Sequence, residues 1–341
     1  MRRARLKASA GVAKAYYHCV TRVVNREFVL GDEEKEIFVK LMRRWERFCQ
    51  VRVITHCIMS NHVHLLVEVP ERPALAPSDE QLLKHLRSLY SAVTVKALGA
   101  QLEAMRQSGS ESQLAELRES FLRRMWDISV FMKLLKQQFS QWFNRRHGRK
   151  GTLWEERFKS VLVEGAGEAL GTMAAYIDLN PVRAGVVEDP KDYRWCGYGS
   201  AVAGNRGARE GLGTVIAALR RPGEGASRVL AEYRVQLFGR GEQTGLDDLE
   251  AGVRAKRGLG REAVKRVLAE GGKLSRLEML RCRVRYFADG AALGSKEFVN
   301  AVFLAQRHRF GPKRRDGARR LRHVDAGGLR VLRDLRVAPI G

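Results

Sequence analysis

The sequence predicts an α+β protein in which a sheet is flanked by helices, and three observations lead there. Two β-rich runs, 51–59 and 62–70, are separated only by Ser60 and Asn61, the spacing of a tight antiparallel hairpin. Long segments at 33–50 and 128–147 repeat apolar residues at helical spacing. A run rich in β-branched and aromatic residues, AYYHCVTRVV at 15–24, precedes them and reads as a further strand.

Each element follows from its own pattern. In 33–50, Ile37, Leu41, Arg44, Trp45 and Phe48 recur in phase, with acids at the front and bases towards the back, as the helix dipole prefers. Residues 71–127 are charged, helix-forming sequence broken at SGSES, and read as a helical insertion. The 128–147 helix ends at Gly148 and Gly151, and a strand at about 158–164 and a helix at about 167–180 follow. Pro181 disfavours helical backbone at Asn180, so this helix is expected to end there.

After about residue 203 the texture becomes a Gly/Arg-rich linker, which places a boundary between a domain at 12–203 and a basic, mainly helical region at 204–341. In that region Ser275-Arg276-Leu277-Glu278 is a capping box, followed by one apolar stripe of Leu277, Leu280, Val284 and Phe287. A second helix starts near Ser295, with Phe298, Ala301, Val302 and Ala305 in phase.

Charge points to the partner. The 341 residues hold 62 Lys+Arg against 38 Asp+Glu, a net +24 that attracts polyanions. Nucleic acid is the first candidate. No apolar run approaches the roughly 20 residues of a membrane span, and the basic N-terminus lacks a signal-peptide core, so a cytoplasmic protein without a membrane partner is expected. The five scattered cysteines include no C-x-x-C pair and read as buried free thiols rather than a disulfide framework.

Two local patterns carry chemistry. His62 and His64 are i and i+2 in a strand, so both imidazoles share one face, close enough to grip one metal ion, while Val63 and Leu65 turn to the other. Two core or surface histidines would give the same pattern. Tyr176 and Asn180 are four apart on one helix face. A phenol is a poor nucleophile until its target is activated, which a metal on a phosphate achieves, and the Asn180 amide oxygen could complete the metal shell. Tyr176 as a packing residue and Asn180 as a helix cap are the plain alternatives.

Three ordered blocks then speak together: MSNHVHLLV at 59–67, FNRRHGRKGTLWEERFKS at 143–160 and YIDLNPVRAGVVEDPKDYRWCGYGS at 176–200. In these the chain resembles the REP-associated tyrosine transposases, within the insertion-sequence-200-like single-tyrosine HUH transposases. The resemblance covers about 12–200, interrupted by the insertion. It implies the ferredoxin-like HUH endonuclease fold, with a central antiparallel sheet flanked by helices. It also implies Tyr176 as nucleophile, His62 and His64 as metal ligands, and Asn180 at the third metal position, where some relatives carry glutamine. The implied activity is cleavage and rejoining of single-stranded or hairpin DNA of repeat-type palindromes through a 5′-phosphotyrosine link, with Mg2+ or Mn2+. It leaves homodimer or monomer open. A domesticated hairpin-binding protein that no longer cuts is the alternative from another class.

The DNA surface is expected from Arg145, Arg146, Arg149, Lys150, Arg157 and Lys159 in the second block, interleaved with Trp142, Phe143, Trp154 and Phe158. Phe143 and Phe158 read as core. Arg183 and Arg194, just past the tyrosine helix, are the better phosphate candidates. The run from Arg307 to Arg322, with eight Lys/Arg and one acid, suggests a DNA-affinity module after about residue 205.

Overall fold

A computed structural model describes residues 5–220, 228–238 and 275–333. Among them one seven-stranded mixed sheet is flanked by thirteen α-helices. Strands β1 (Lys14–Arg22), β2 (Arg52–Ile58), β3 (His62–Pro70) and β4 (Lys159–Val163) form an antiparallel core in the order β2-β3-β1-β4. The hairpin between β2 and β3 turns through Ser60 and Asn61, closed by Met59 N–H donating to the His62 carbonyl at 2.9 Å.

Strand parity divides the side chains between two cores. Val63, Leu65 and Val67 enter the layer beneath α1 (Asp32–Cys49) and α5 (Ile128–Arg146). Leu66 turns the other way, onto the layer beneath α6 (Glu168–Asp178). Helix α6 is small-residue-rich, with Gly171, Ala174 and Ala175 buried, so it lies close on the sheet. The insertion is helical, as predicted, and comprises α2 (Asp79–Leu86), α3 (Ala92–Gln107) and α4 (Glu111–Leu122). All five cysteines are free and buried.

Four expectations are corrected. Asn180 does not end the tyrosine helix. Helix α6 stops at Asp178, and a new turn, α7 (Asn180–Arg183), starts at Asn180 with Pro181 second, where a missing N–H is harmless in a first turn. The stretch after 203 is not a linker: past the short α8 (Gly197–Val202), Asn205 caps α9 (Arg206–Leu219), which packs on β2 and α6. Its Gly211 is a contact glycine, since a Cβ there would lie 2.1 Å from the Ile54 carbonyl oxygen. Glycine spacing that reads as loose texture is here a close helix–sheet approach. The stripe from Leu277 to Phe287 is split between two short helices, α11 (Arg276–Leu280) and α12 (Tyr286–Asp289), and Leu277 is exposed.

The fourth correction concerns the region after 204 as an independently folding module. It holds α10 (Val229–Phe238), α11, α12 and α13 (Lys296–Ala305), so it is largely helical, but it also extends the sheet. Strand β5 (Ala292–Gly294) pairs parallel with β4, and β7 (Arg330–Val331) and β6 (Arg319–Arg320) continue antiparallel from it. Tyr233, Phe287 and Val331 share the core that holds Tyr176. The basic run is partly built into this layer: Arg307 and Arg314 donate to backbone carbonyls, and Arg319 pairs with Asp316 at 2.9 Å.

Candidate active site

Two strands and one helix converge on Tyr176. Because β3 alternates, His64 points at α6, and its ring centroid lies 6.3 Å from that of Tyr176, edge-on. His62, one pleat away on the same face, lies 5.0 Å from His64 between ring centroids. The new helical turn after Leu179 brings the Asn180 amide to His62: Nδ2 lies 3.0 Å from Nε2. Tyr176, His62, His64 and Asn180 therefore form one constellation.

A residue that sequence reading passed over completes it. His18 of β1 stacks on His64 with centroids 5.0 Å apart and planes 11° from parallel, and its Nε2 lies 2.8 Å from His64 Nδ1. On β1 it stands diagonal to His64, since Val20 pairs with His64 and His18 with Leu66. A lone histidine in an apolar strand carries no signal of its own. Only the β1–β3 register reveals it.

Burial keeps these rings neutral. Desolvation, reinforced by nearby Arg22, Arg183 and Arg283, brings His62 down to about 3. Desolvation brings His18 to about 4 and holds His64 well below the ordinary histidine range. A neutral imidazole keeps the lone pair that a metal ligand needs.

The tyrosine is 6 % exposed and walled on three sides. Phe287 of α12 meets it edge-on at 4.7 Å between centroids, His18 and His64 stand edge-on at 6.3 Å, and the Arg183 guanidinium carbon lies 3.9 Å from its ring centre. Arg183 donates to the Leu280 carbonyl at 2.9 Å and faces no carboxylate among the described residues. The foot of α6 is anchored by buried Asp178, which accepts from Tyr233 Oη at 2.6 Å, Thr55 Oγ1 at 2.9 Å and Tyr198 N–H at 3.1 Å.

Residues 11–101 match the family model described as transposase IS200 like. The match carries β1 to β3 with His18, His62 and His64, and ends before Tyr176 and Asn180. Among solved structures, the chain is similar to that of the REP-associated tyrosine transposase bound to a REP hairpin, at 16 % identity over 67 % of this chain and 92 % of that one, with a TM-score of 0.37. A putative transposase from Deinococcus radiodurans is similar at 14 % identity over 46 % and 85 %, with a TM-score of 0.25. No curated protein matches the sequence.

The other expected site residues distribute unevenly around the constellation. Of the eight expected DNA-binding cations, Arg183 alone stacks on Tyr176. Arg145, Arg146, Arg149 and Lys150 lie at the end of α5, on the opposite layer of the sheet, with Arg146 paired to Glu33 at 3.0 Å. Arg194 pairs with Glu36 at 2.8 Å, and Lys159 with Asp289 at 3.0 Å. Arg157 lines a cleft with Arg5, Lys159, His308 and Arg309. Phe143 and Phe158 are core, as predicted, and so is Trp154, which removes three of the four interleaved aromatics from base stacking.

The residues fit a divalent metal. Two neutral imidazoles and an amide that can turn its oxygen inward offer three positions. Among the described residues no group of three or more His, Cys, Asp and Glu is arranged to hold a metal. The remaining positions would fall to phosphate oxygens and water, the pattern of Mg2+ and Mn2+ sites that keep part of their hydration.

Proposed function

We propose that this protein is a DNA transposase that cuts and rejoins single-stranded or hairpin DNA through Tyr176. The observation that carries the reading is the convergence of Tyr176, His62, His64 and Asn180, drawn from β3 and from α6 and α7 more than a hundred residues later in the sequence. The IS200-like match over 11–101 supports the transposase class, and the net charge of +24 supports a polyanionic substrate.

In this reading the scissile phosphate lies between the imidazoles and the phenol. The Tyr176 Oη attacks phosphorus, the Oη–P bond forms and the P–O3′ bond breaks. The phenol gives up its proton and the departing 3′ oxygen takes one up. The DNA is left with a free 3′-OH and a 5′-phosphate on Tyr176. Attack by another 3′-OH reverses the step on a new strand and conserves the bond energy. Bound Mg2+ or Mn2+, held by His62, His64 and Asn180, would supply Lewis-acid polarisation of the phosphoryl oxygen. Arg183, with Arg22 and Arg283 nearby, neutralises the phosphate. The walls around Tyr176 hold its ring and exclude water, which protects the phosphotyrosine link from hydrolysis.

The deciding experiment incubates the full chain with single-stranded hairpin libraries and Mn2+, then sequences DNA covalently attached to the protein. Tyr176→Phe is expected to retain DNA binding and give no adduct on a denaturing gel. Undiminished adduct from that variant overturns the assignment. DNA binding with no adduct from the parent instead favours a hairpin-binding protein without cleavage.

A further inference from the structure

We infer that His18 is a positioning residue that fixes the tautomer of His64, and that the Phe287 carbonyl sets the relay from the far end of the chain. The inference rests on His62 and His64 being metal ligands.

The direction of the relay follows from acceptors that cannot donate. The Phe287 carbonyl lies 2.6 Å from His18 Nδ1, so the hydrogen sits on His18 Nδ1. Both rings are buried with no carboxylate paired to either among the described residues, so each carries one hydrogen and His18 Nε2 is then a lone pair. His64 Nδ1, 2.8 Å away, must donate to it. That leaves His64 Nε2 with its lone pair free, and among the described residues it has no partner. Ligand imidazoles are commonly held by a hydrogen bond through the other nitrogen, which fixes both tautomer and ring orientation.

His62 is set the same way by an independent route. Asn61 Nδ2 donates to the Arg26 carbonyl at 3.2 Å, which orients the amide so that its Oδ1 faces His62 Nδ1 at 2.6 Å. The hydrogen again sits on Nδ1 and the lone pair on Nε2, where Asn180 Nδ2 now donates. Two separate networks thus turn two histidines into the same tautomer with both Nε2 atoms available. For His64 the acceptor is a side chain of β1, itself oriented by a backbone oxygen of α12.

The test uses the full chain and two substitutions. His18→Phe keeps a flat ring and deletes the acceptor. His18→Gln spans the same gap, with its amide N–H towards Phe287 and its oxygen towards His64 Nδ1. Side-chain 15N–1H correlation spectra of the metal-free proteins read the His64 tautomer directly, and calorimetry reads Mn2+ affinity. The parent and His18→Gln are expected to show His64 protonated on Nδ1. His18→Phe is expected to lose that state and 10- to 100-fold in Mn2+ affinity, the usual loss when such a support is removed. A folded His18→Phe protein that keeps the Nδ1–H tautomer and parental affinity overturns the inference. So does His18→Gln with a displaced tautomer, which also decides the matter if His18→Phe does not fold. A parent that binds no Mn2+ defeats the metal reading alone, because the spectra still report whether His18 sets His64.

Discussion

The guanidinium of Arg183 lies over the ring of Tyr176, its carbon 3.9 Å from the ring centre, with no carboxylate to share its charge among the described residues. A half-buried cation with no anionic partner among the described residues is costly to the fold, and in the proposed reaction a substrate phosphate is the partner that offsets this cost. Arg183→Lys keeps the charge and loses the planar stack and fork. It is expected to lower the rate of adduct formation by roughly 10²–10³-fold, the scale of removing one preorganised charge-stabilising group. Single-turnover cleavage with a saturating substrate checks this, with circular dichroism confirming the fold.

Metal and DNA are expected to bind cooperatively. The site offers two imidazoles and an amide, with Arg22, Arg183 and Arg283 close enough to depress His62. A divalent cation entering alone meets repulsion, whereas one entering with a phosphate meets an anion. Mn2+ affinity should rise at least about tenfold with a short single-stranded oligonucleotide, and by linkage Mn2+ should tighten the oligonucleotide by the same factor. Titrations in the Tyr176→Phe background measure both. Asn180→Asp, which adds a carboxylate, should raise Mn2+ affinity without DNA and shrink the cooperativity. Equal Mn2+ affinity with and without DNA in the parent would sink this prediction.

Gly211 and Gly213 give a paired test of the region after 204. A Cβ on Gly211 collides with the Ile54 backbone, while one on Gly213 meets nothing within 4 Å among the described residues. Gly211→Val should cost about 3 kcal/mol or more as α9 is pushed off β2. Gly213→Ala should stabilise by about 0.5–1 kcal/mol, as glycine-to-alanine changes do inside helices. Deleting 205–341 removes three strands and Tyr233 from the core, and the truncated chain should fail to fold. Urea denaturation of all three proteins decides the matter.

How much of this was legible beforehand depends on the range of each interaction. The shared face of His62 and His64 follows from a period of two, is local, and is found in the structure. Asn180 reaches His62 through the new turn α7 rather than by unbroken helical spacing from Tyr176. His18 and Phe287 join the constellation only through strand pairing and a crossover, which no window of sequence contains. The glycines after 203 misled for a related reason. A glycine that loosens a loop and one that lets a helix touch a sheet are the same letter, and only the opposing Ile54 backbone tells them apart.

His56 supplies a prediction about pH. It is buried on β2, neither ring nitrogen has a partner among the described residues, and desolvation brings it down to about 3. The folded state therefore takes up this proton later than the unfolded chain, whose histidines titrate near 6.5. Its effect on stability is absent above about pH 6.5 and grows as a loss when pH falls towards 3, by about 1.4 kcal/mol per pH unit. His56→Leu should stabilise by about 1–3 kcal/mol at pH 7, by removing unpaired polar atoms, and should remove one proton's worth of the acid slope. Denaturation midpoints between pH 4 and 8 test both parts, and an unchanged slope would rule out the second.

The contact from His18 to Phe287 spans 269 positions. At roughly 5–20 residues added per second, a ribosome needs on the order of tens of seconds to travel from one to the other. From Asn180 onward, the later part of that interval, the nascent polypeptide already carries its phenol, both ligand imidazoles and its amide, yet lacks the aromatic wall and the carbonyl that close around them. The reactive groups are thus made first and the enclosure last. A message broken between Arg183 and Phe287 yields a product with Tyr176, His62, His64 and Asn180 but no finished chamber around them.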